Sequence, residues 1–358
     1  MAASLKAALV RAHPDFPWLD PGDAARTEQF LRARGWLAAD ERVAAVEPAG
    51  AGNMNCTLRV RTDRRSVILK QARPWVERYE HIAAPWERSV FERRFYERVA
   101  AIPAVAARMP RLLAAADDAH ALLLEDLGAA RDMSDVYGGT ALAGADLTAL
   151  GAWLGALHAA TRGAADPALA NRAMRALNHA HVFVIPFGGD AGVDCDALEP
   201  GLAAAATSLR ADATLRRKVE HAGARYLADG PCLLHGDFFP GSWLRTDDGV
   251  RVIDPEFAFY GVPEIDLGCA VGHLALARMA GATVGALLAA YGTAAAEGEG
   301  AAPAPDPAWI ARFAGIEVIR RLIGVAQLPL PARAGARAAL LARAHAAVLA
   351  DRVERLWA

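Results

Sequence analysis

Cysteine is scarce in this chain of 358 residues: there are four, at positions 56, 195, 232 and 269, and no two form a CxxC pair. That scatter supports neither a zinc site nor a disulfide framework, and it suits a reducing cytoplasmic setting. An excess of either charge is missing as well, since 39 basic and 41 acidic residues leave a formal net charge of −2. Nucleic acid and anionic membrane surfaces attract strongly basic chains, so neither is expected as a partner. Long apolar runs are also absent. The opening MAASLKAALVRAHPDF holds no apolar core of signal-peptide length, so export is not expected. The most apolar region, about residues 265–297, is broken by Asp266, His273 and Arg278 and reads as packed helices rather than a membrane span.

What is present divides near Glu125–Gly128 into two unlike parts. Residues 21–36 open on a DPGD turn and continue as a helix. VAAVEPAGAGNMNCTLRVRTDRRSVILKQA reads as strand, glycine loop, strand, turn and strand, with β-branched and apolar residues in TLRV and SVILK. Residues 85–100 repeat Trp86, Val90, Phe91 and Phe95 at helical spacing, and AHALLLEDLG reads as a further strand. Beyond Gly128 the pattern is Ala/Leu-rich and helical, apart from a short β pair around 233–234 and 250–254. A Pro/Gly/Ala loop is read at 294–308, and no fixed-period repeat is found. The expected fold is therefore α+β, with a β-rich N-terminal lobe over 1–126 and a mainly helical C-terminal lobe over 127–358.

Four groups of residues carry chemistry. AGAGNMN, with Gly50, Gly52 and Asn53, lies between two strands, and Lys70 follows in VILKQA. A glycine loop lets backbone N–H groups approach phosphate oxygens, and a strand lysine neutralises them; the plainer reading is an ordinary hairpin. A buried lysine needs a partner. Of Glu87, Glu92 and Glu97, Glu92 best fits the middle of the helix beside apolar neighbours, the alternative being surface pairs with nearby arginines.

The third group is LLHGDFFPGSW followed by VRVIDPEFAFYG. Asp237 suits a base for an attacking hydroxyl, and Asp254 with Glu256 offers hard oxygen ligands to magnesium. On a strand, positions i and i+2 share a face, which would let both reach one ion. Turn chemistry explains each of these acids singly, but not the ordered set of glycine loop, lysine, glutamate, HGD and DxE. The fourth group is EVIRRLIGVAQ, where Arg320 and Arg321 interrupt an apolar helix. A guanidinium there binds a substrate or pairs with Asp266 or Glu317. His158 and His273 read as satisfied core or cleft-edge histidines, and Trp75, Trp86, Trp153 and Trp243 as core fillers.

In order and spacing these motifs resemble the protein-kinase-like small-molecule kinases, which include aminoglycoside and choline kinases. The detail is most similar to the 5-methylthioribose kinases, in GAGNMNCTLRV, VILKQA, LLLEDL, NRAMRALNHAHVFVIPF, VIDPEFAFYG and FAGIEVIRRLIGVA, over about residues 40–330. The resemblance implies a two-lobed protein-kinase-like fold and ATP- and Mg²⁺-dependent phosphorylation of S-methyl-5-thioribose in methionine salvage. It also suggests a homodimer, while the cysteine scatter and the lack of an export signal point to a soluble cytoplasmic protein. By position it makes Asp237 the catalytic base and Asp254 and Glu256 the magnesium ligands. Lys70, paired with Glu92, would hold the nucleotide phosphates under Gly50, Gly52 and Asn53. Glu125 to Leu127 would meet adenine, and Arg320 and Arg321 the sugar. Ser242 stands where those kinases also carry serine. The chain departs from their pattern at Phe238-Phe239-Pro240, where Leu-His-Thr is usual, and in the loosely matched 72–91. Those departures point to a related sugar, an amino alcohol or an aminoglycoside as alternative acceptor, and a catalytically silent nucleotide-binding protein stands as a further alternative. A polycationic aminoglycoside is disfavoured by the paired arginines.

Overall fold

Alternation along TLRV and SVILK builds the centre of a five-stranded antiparallel sheet. The computed structural model describes residues 5–50, 54–188, 192–297 and 304–358, and the chain separates into two compact units, Met1–Arg131 and Asp132–Ala358. In the first unit the strands lie in the spatial order Val43–Pro48, Cys56–Thr62, Ser66–Gln71, Ala121–Glu125, Leu112–Ala116. Leu58 faces Leu69, Val60 faces Val67, and Leu69 faces Leu123 across the ladders. These residues form one core with Phe30 and Leu31 of the helix Ala24–Ala33. A period of two then sends Lys70 to the opposite face of the sheet from Leu69. The helix expected at 85–100 runs over Arg88–Val99 and buries Glu92, Phe95, Tyr96 and Val99.

The second unit is mainly helical. Its long helices include Gly144–Ala160, Ala213–Leu227, Glu264–Leu276, Gly281–Ala296, Pro307–Ile323 and Ala336–Ala350. Among the described residues no helix is long and apolar enough to cross a membrane. The short β pairing differs from the one expected. Cys232–Leu234 pairs with Phe259–Gly261, and Trp243–Thr246 pairs with Gly249–Val252. The turn at Asp247-Asp248 makes the second pair a local hairpin, so 250–252 closes on its own neighbours instead of on 233–234.

A close approach of two helices positions part of the site. Gly272 lets the helix Glu264–Leu276 touch Pro307–Ile323, because a Cβ at 272 would lie 2.8 Å from the Ala314 carbonyl oxygen. The contact brings the next residue, His273, against Glu317.

Candidate active site

In the first unit Lys70 and Glu92 are both buried, and Lys70 Nζ lies 2.8 Å from each carboxylate oxygen of Glu92. A sheet lysine on the face opposite the main core thus finds its counter-charge on the neighbouring helix. Gly50 has φ +75, a left-handed conformation that glycine adopts without strain. Gly52 and Asn53 lie outside the described residues. Glu125 ends its strand with its carboxylate accepting from the Arg111 backbone N–H (3.1 Å) and guanidinium (3.3 Å). Leu127 is half-buried beyond it.

In the second unit the HGD segment leaves a buried strand and is held from below by Asp266. That carboxylate is fully buried in the first turn of Glu264–Leu276, where a helix N-terminus favours negative charge. It accepts from the backbone N–H of His235 (2.7 Å) and of Gly236 (2.9 Å), and pairs with His158 Nε2 at 3.2 Å. His158 also meets the Tyr291 hydroxyl, at 3.1 Å. His235 Nε2 donates to the Ile253 carbonyl oxygen (2.9 Å), tying HGD to the segment that leads to Asp254. At Gly236 φ is +86, and a Cβ would sit 2.2 Å from the Phe257 carbonyl oxygen, so no other residue fits there. Ser242 Oγ donates to the Asp237 carbonyl oxygen (3.0 Å) and closes the loop from the far side.

The two phenylalanines after Asp237 have different fates. Phe238 is fully buried and stacks on Trp153 with ring centroids 5.5 Å apart. Phe239 is half-buried and lies against His273, centroids 4.9 Å apart, with the Arg321 guanidinium 5.2 Å from its ring.

The structure brings Asp237, Arg320 and Arg321 together. One terminal nitrogen each of Arg320 and Arg321, Nη2, approaches the same oxygen of Asp237, at 3.6 Å and 3.7 Å. These are ion-pair distances, too long for hydrogen bonds. Both Nε atoms donate instead to Glu317, at 2.6 Å from Arg320 and 2.9 Å from Arg321. Of the two carboxylates weighed as arginine partners, the structure selects Glu317; Asp266 is engaged with HGD. Burial raises the pKa of Asp237 above the ordinary aspartate value, opposed by Arg321 and Arg320. Burial also acts on Glu317, but the two arginines outweigh it and hold that carboxyl well below the usual range.

Asp254 and Glu256 lie on one short loop, but they do not share a strand face. The strand stops at Val252, Asp254 has φ +62, and Glu256 sits buried in a 3₁₀ turn, Pro255–Phe257. Proline after Asp254 removes the N–H that a continuing ladder would use. Asn171 Nδ2 braces this loop by donating to the carbonyl oxygens of Glu256 (2.9 Å) and Ala258 (3.0 Å). As a donor set, two carboxylates fit a hard cation such as magnesium. A second cluster does not fit a metal. Ligand atoms of Cys269, His273 and Glu317 lie within 4.8 Å of one another. Both nitrogens of His273 and both oxygens of Glu317 are already hydrogen-bonded, two guanidinium groups oppose a cation, and burial pushes the Cys269 thiol well above its ordinary pKa.

Asp266, Glu317, His273 and Tyr137 belong to the site's framework, a role that the motifs do not assign them. Asp266 has a signal, as one of two acids at the head of the otherwise apolar EIDLGCAVGHLAL. Glu317 is three and four residues before the arginines, the helical pairing distance. Nothing local marks Tyr137.

The model of a family described as "Phosphotransferase enzyme family" matches residues 45–313. The chain is 30% identical over 258 residues to a methylthioribose kinase of Exiguobacterium sibiricum, a match covering 66% of this chain and 62% of that protein. To a methylthioribose kinase of Bacillus cereus it is 24% identical over 263 residues, covering 69% and 64%. The chain thus spans less than two thirds of the length of these relatives. Among solved structures it is similar to the choline kinase LicA from Streptococcus pneumoniae, with a TM-score of 0.51 at 12% identity, covering 91% of this chain and all of that one. The gentamicin–APH(2″)-IIa complex gives a TM-score of 0.50 at 13% identity, covering 95% and 99%. The fold is α+β and protein-kinase-like.

Proposed function

This chain belongs to the phosphotransferase enzyme family, and from that premise we propose that it is an ATP-dependent kinase of a small-molecule hydroxyl, with S-methyl-5-thioribose as acceptor. The observation that carries the reading is the Asp237 carboxylate, anchored through its own loop by Asp266 and faced by two arginine side chains. Asp237 accepts the proton of the acceptor hydroxyl as its oxygen bonds to the γ-phosphorus and the bond to the β-phosphate oxygen breaks, releasing ADP. Arg320 and Arg321 hold the acceptor's other hydroxyls, and Lys70, kept in place by Glu92, neutralises phosphate oxygens. Gly50, Gly52 and Asn53 cover the phosphates, and Glu125 to Leu127 meet adenine. Asp254 and Glu256 would hold magnesium, which supplies charge neutralisation on the phosphates.

One observation favours a second acceptor. With Phe238 buried beneath Trp153, the departure from Leu-His-Thr that faces the arginines is Phe239, an apolar ring where a polar side chain is usual. A different sugar or an amino alcohol with an apolar edge at that position is the alternative. ADP release with ATP and Mg²⁺, followed against a panel of hydroxyl compounds, separates the readings. Turnover of methylthioribose alone supports the first, and preference for another acceptor supports the second. ATP binding without turnover of any compound would leave a nucleotide-binding protein.

The pH profile is a second test. Asp237 must be ionised to act, and its pKa is raised by burial, so kcat/KM falls on acidification with a midpoint above that of ordinary aspartate. Arg321 is the largest influence in the other direction. Arg321→Met should therefore move the acid limb to still higher pH, whatever it does to the plateau. A midpoint that stays put or moves down would remove Asp237 from the role of base.

A further inference from the structure

Three buried polar groups stand behind the arginine pair, and the phosphotransfer chemistry uses none of them: Tyr137, His273 and Glu317. Adjacent residues on a helix point about 100° apart, so aiming Arg320 and Arg321 at one oxygen requires a common anchor. Glu317 is that anchor, one turn earlier on the same helix, and it takes the Nε–H of each. Engaging Nε leaves Nη2 of each side chain facing Asp237, while Nη1 of Arg321 donates to the Ala326 carbonyl oxygen at 3.4 Å.

The anchor is itself anchored. His273 Nε2 lies 2.9 Å from Glu317 Oε1, and the Tyr137 hydroxyl bonds His273 Nδ1. Chemistry alone assigns the protons. Arginines hold Glu317 ionised, so it only accepts, and His273 must carry its proton on Nε2. Nδ1 is then an acceptor, and Tyr137 donates to it. Every member is satisfied in one arrangement, Tyr137 to His273 to Glu317, with Glu317 receiving both arginines.

We propose that Tyr137, His273 and Glu317 form a positioning relay that fixes the direction of the Arg320 and Arg321 guanidinium groups beside Asp237, and so sets how tightly the acceptor is held. The relay rests on the kinase reading for its consequence, though not for its geometry. His273→Leu removes the donor to Glu317, whereas His273→Gln places an amide N–H within reach of it. The first should raise the acceptor KM by about tenfold, the scale of a lost hydrogen bond to a charged group, and leave the KM for ATP unchanged. The second should recover most of that loss. Tyr137→Phe should raise the acceptor KM by a smaller factor. Equal acceptor KM values in wild type and His273→Leu, or no recovery in His273→Gln, would overturn the relay.

A measurement on the wild-type chain is independent of turnover and of variant folding. Its ¹⁵N spectrum should show His273 protonated on Nε2 and bare on Nδ1 at neutral pH. The opposite tautomer, or an imidazolium, would sink the proposal. A wild type that phosphorylates no acceptor would count against the kinase reading alone, and the tautomer would still decide the relay.

Discussion

Asp237→Asn is expected to lower turnover of the acceptor by about 10²- to 10⁴-fold, the range that general-base catalysis contributes, with ATP binding retained. Asparagine matches aspartate in size, and the backbone bonds around position 237 come from Asp266 and Ser242, which the substitution does not touch. The loop should keep its shape. What changes is that an amide takes no proton from a hydroxyl, and that Arg320 and Arg321 lose the negative charge they face. Losing that charge need not expose unpaired cations, since both Nε atoms remain on Glu317. The effect should therefore fall on kcat more than on folding. Steady-state kinetics with a titration of ATP binding reads both. Turnover within a few-fold of wild type would show that Asp237 is not the base, and loss of ATP binding with turnover would show a collapsed loop instead.

The second large effect concerns stability. Asp266→Asn should cost about 3–5 kcal/mol, because Asp266 accepts charge-assisted hydrogen bonds that an amide can only partly replace. All of its partners are donors: the N–H groups of His235 and Gly236, and His158. In asparagine one oxygen becomes NH₂, so two donors face each other in a site with no exposure to water. For a unit of this size the loss should lower Tm by about 10 °C, measured by calorimetry beside the wild type. A Tm change near zero would mean that the HGD loop is held by other contacts. The same substitution should also reduce turnover, since the backbone bonds it breaks lead directly into Asp237.

Much of this site is legible in the residue order, and the reason differs from residue to residue. Lys70 and Glu92 can be matched because a period of two on a strand and of 3.6 on a helix each assign a face, and a buried ammonium demands a partner. Asp237 stands out because an acid between apolar strands is expensive unless used. Asp254 and Glu256 are found by type, but their geometry is not the one that strand spacing predicts. Periodicity carries no information about where a strand ends against a proline, and the left-handed turn at Asp254 follows from that ending. His273 reads as a satisfied core or cleft-edge histidine, and it is satisfied; its partners, Glu317 and Tyr137, tie it to the carboxylate that holds the arginines.

The sequence by itself determined the α+β order of elements, which charged groups are candidates for the chemistry, and the faces on which Lys70 and Glu92 lie. These follow from local rules, because periodicity, turn residues and the cost of burying charge act within a few residues. Only the tertiary structure decided which buried groups meet. Tyr137, His273 and Glu317 are far apart in the chain, and Asp266 sits 29 residues beyond Asp237 yet holds the backbone before it. Such meetings depend on how closely helices can approach, as at Gly272 against Ala314. Packing sets that distance through residues with no polar chemistry of their own, so no motif records it.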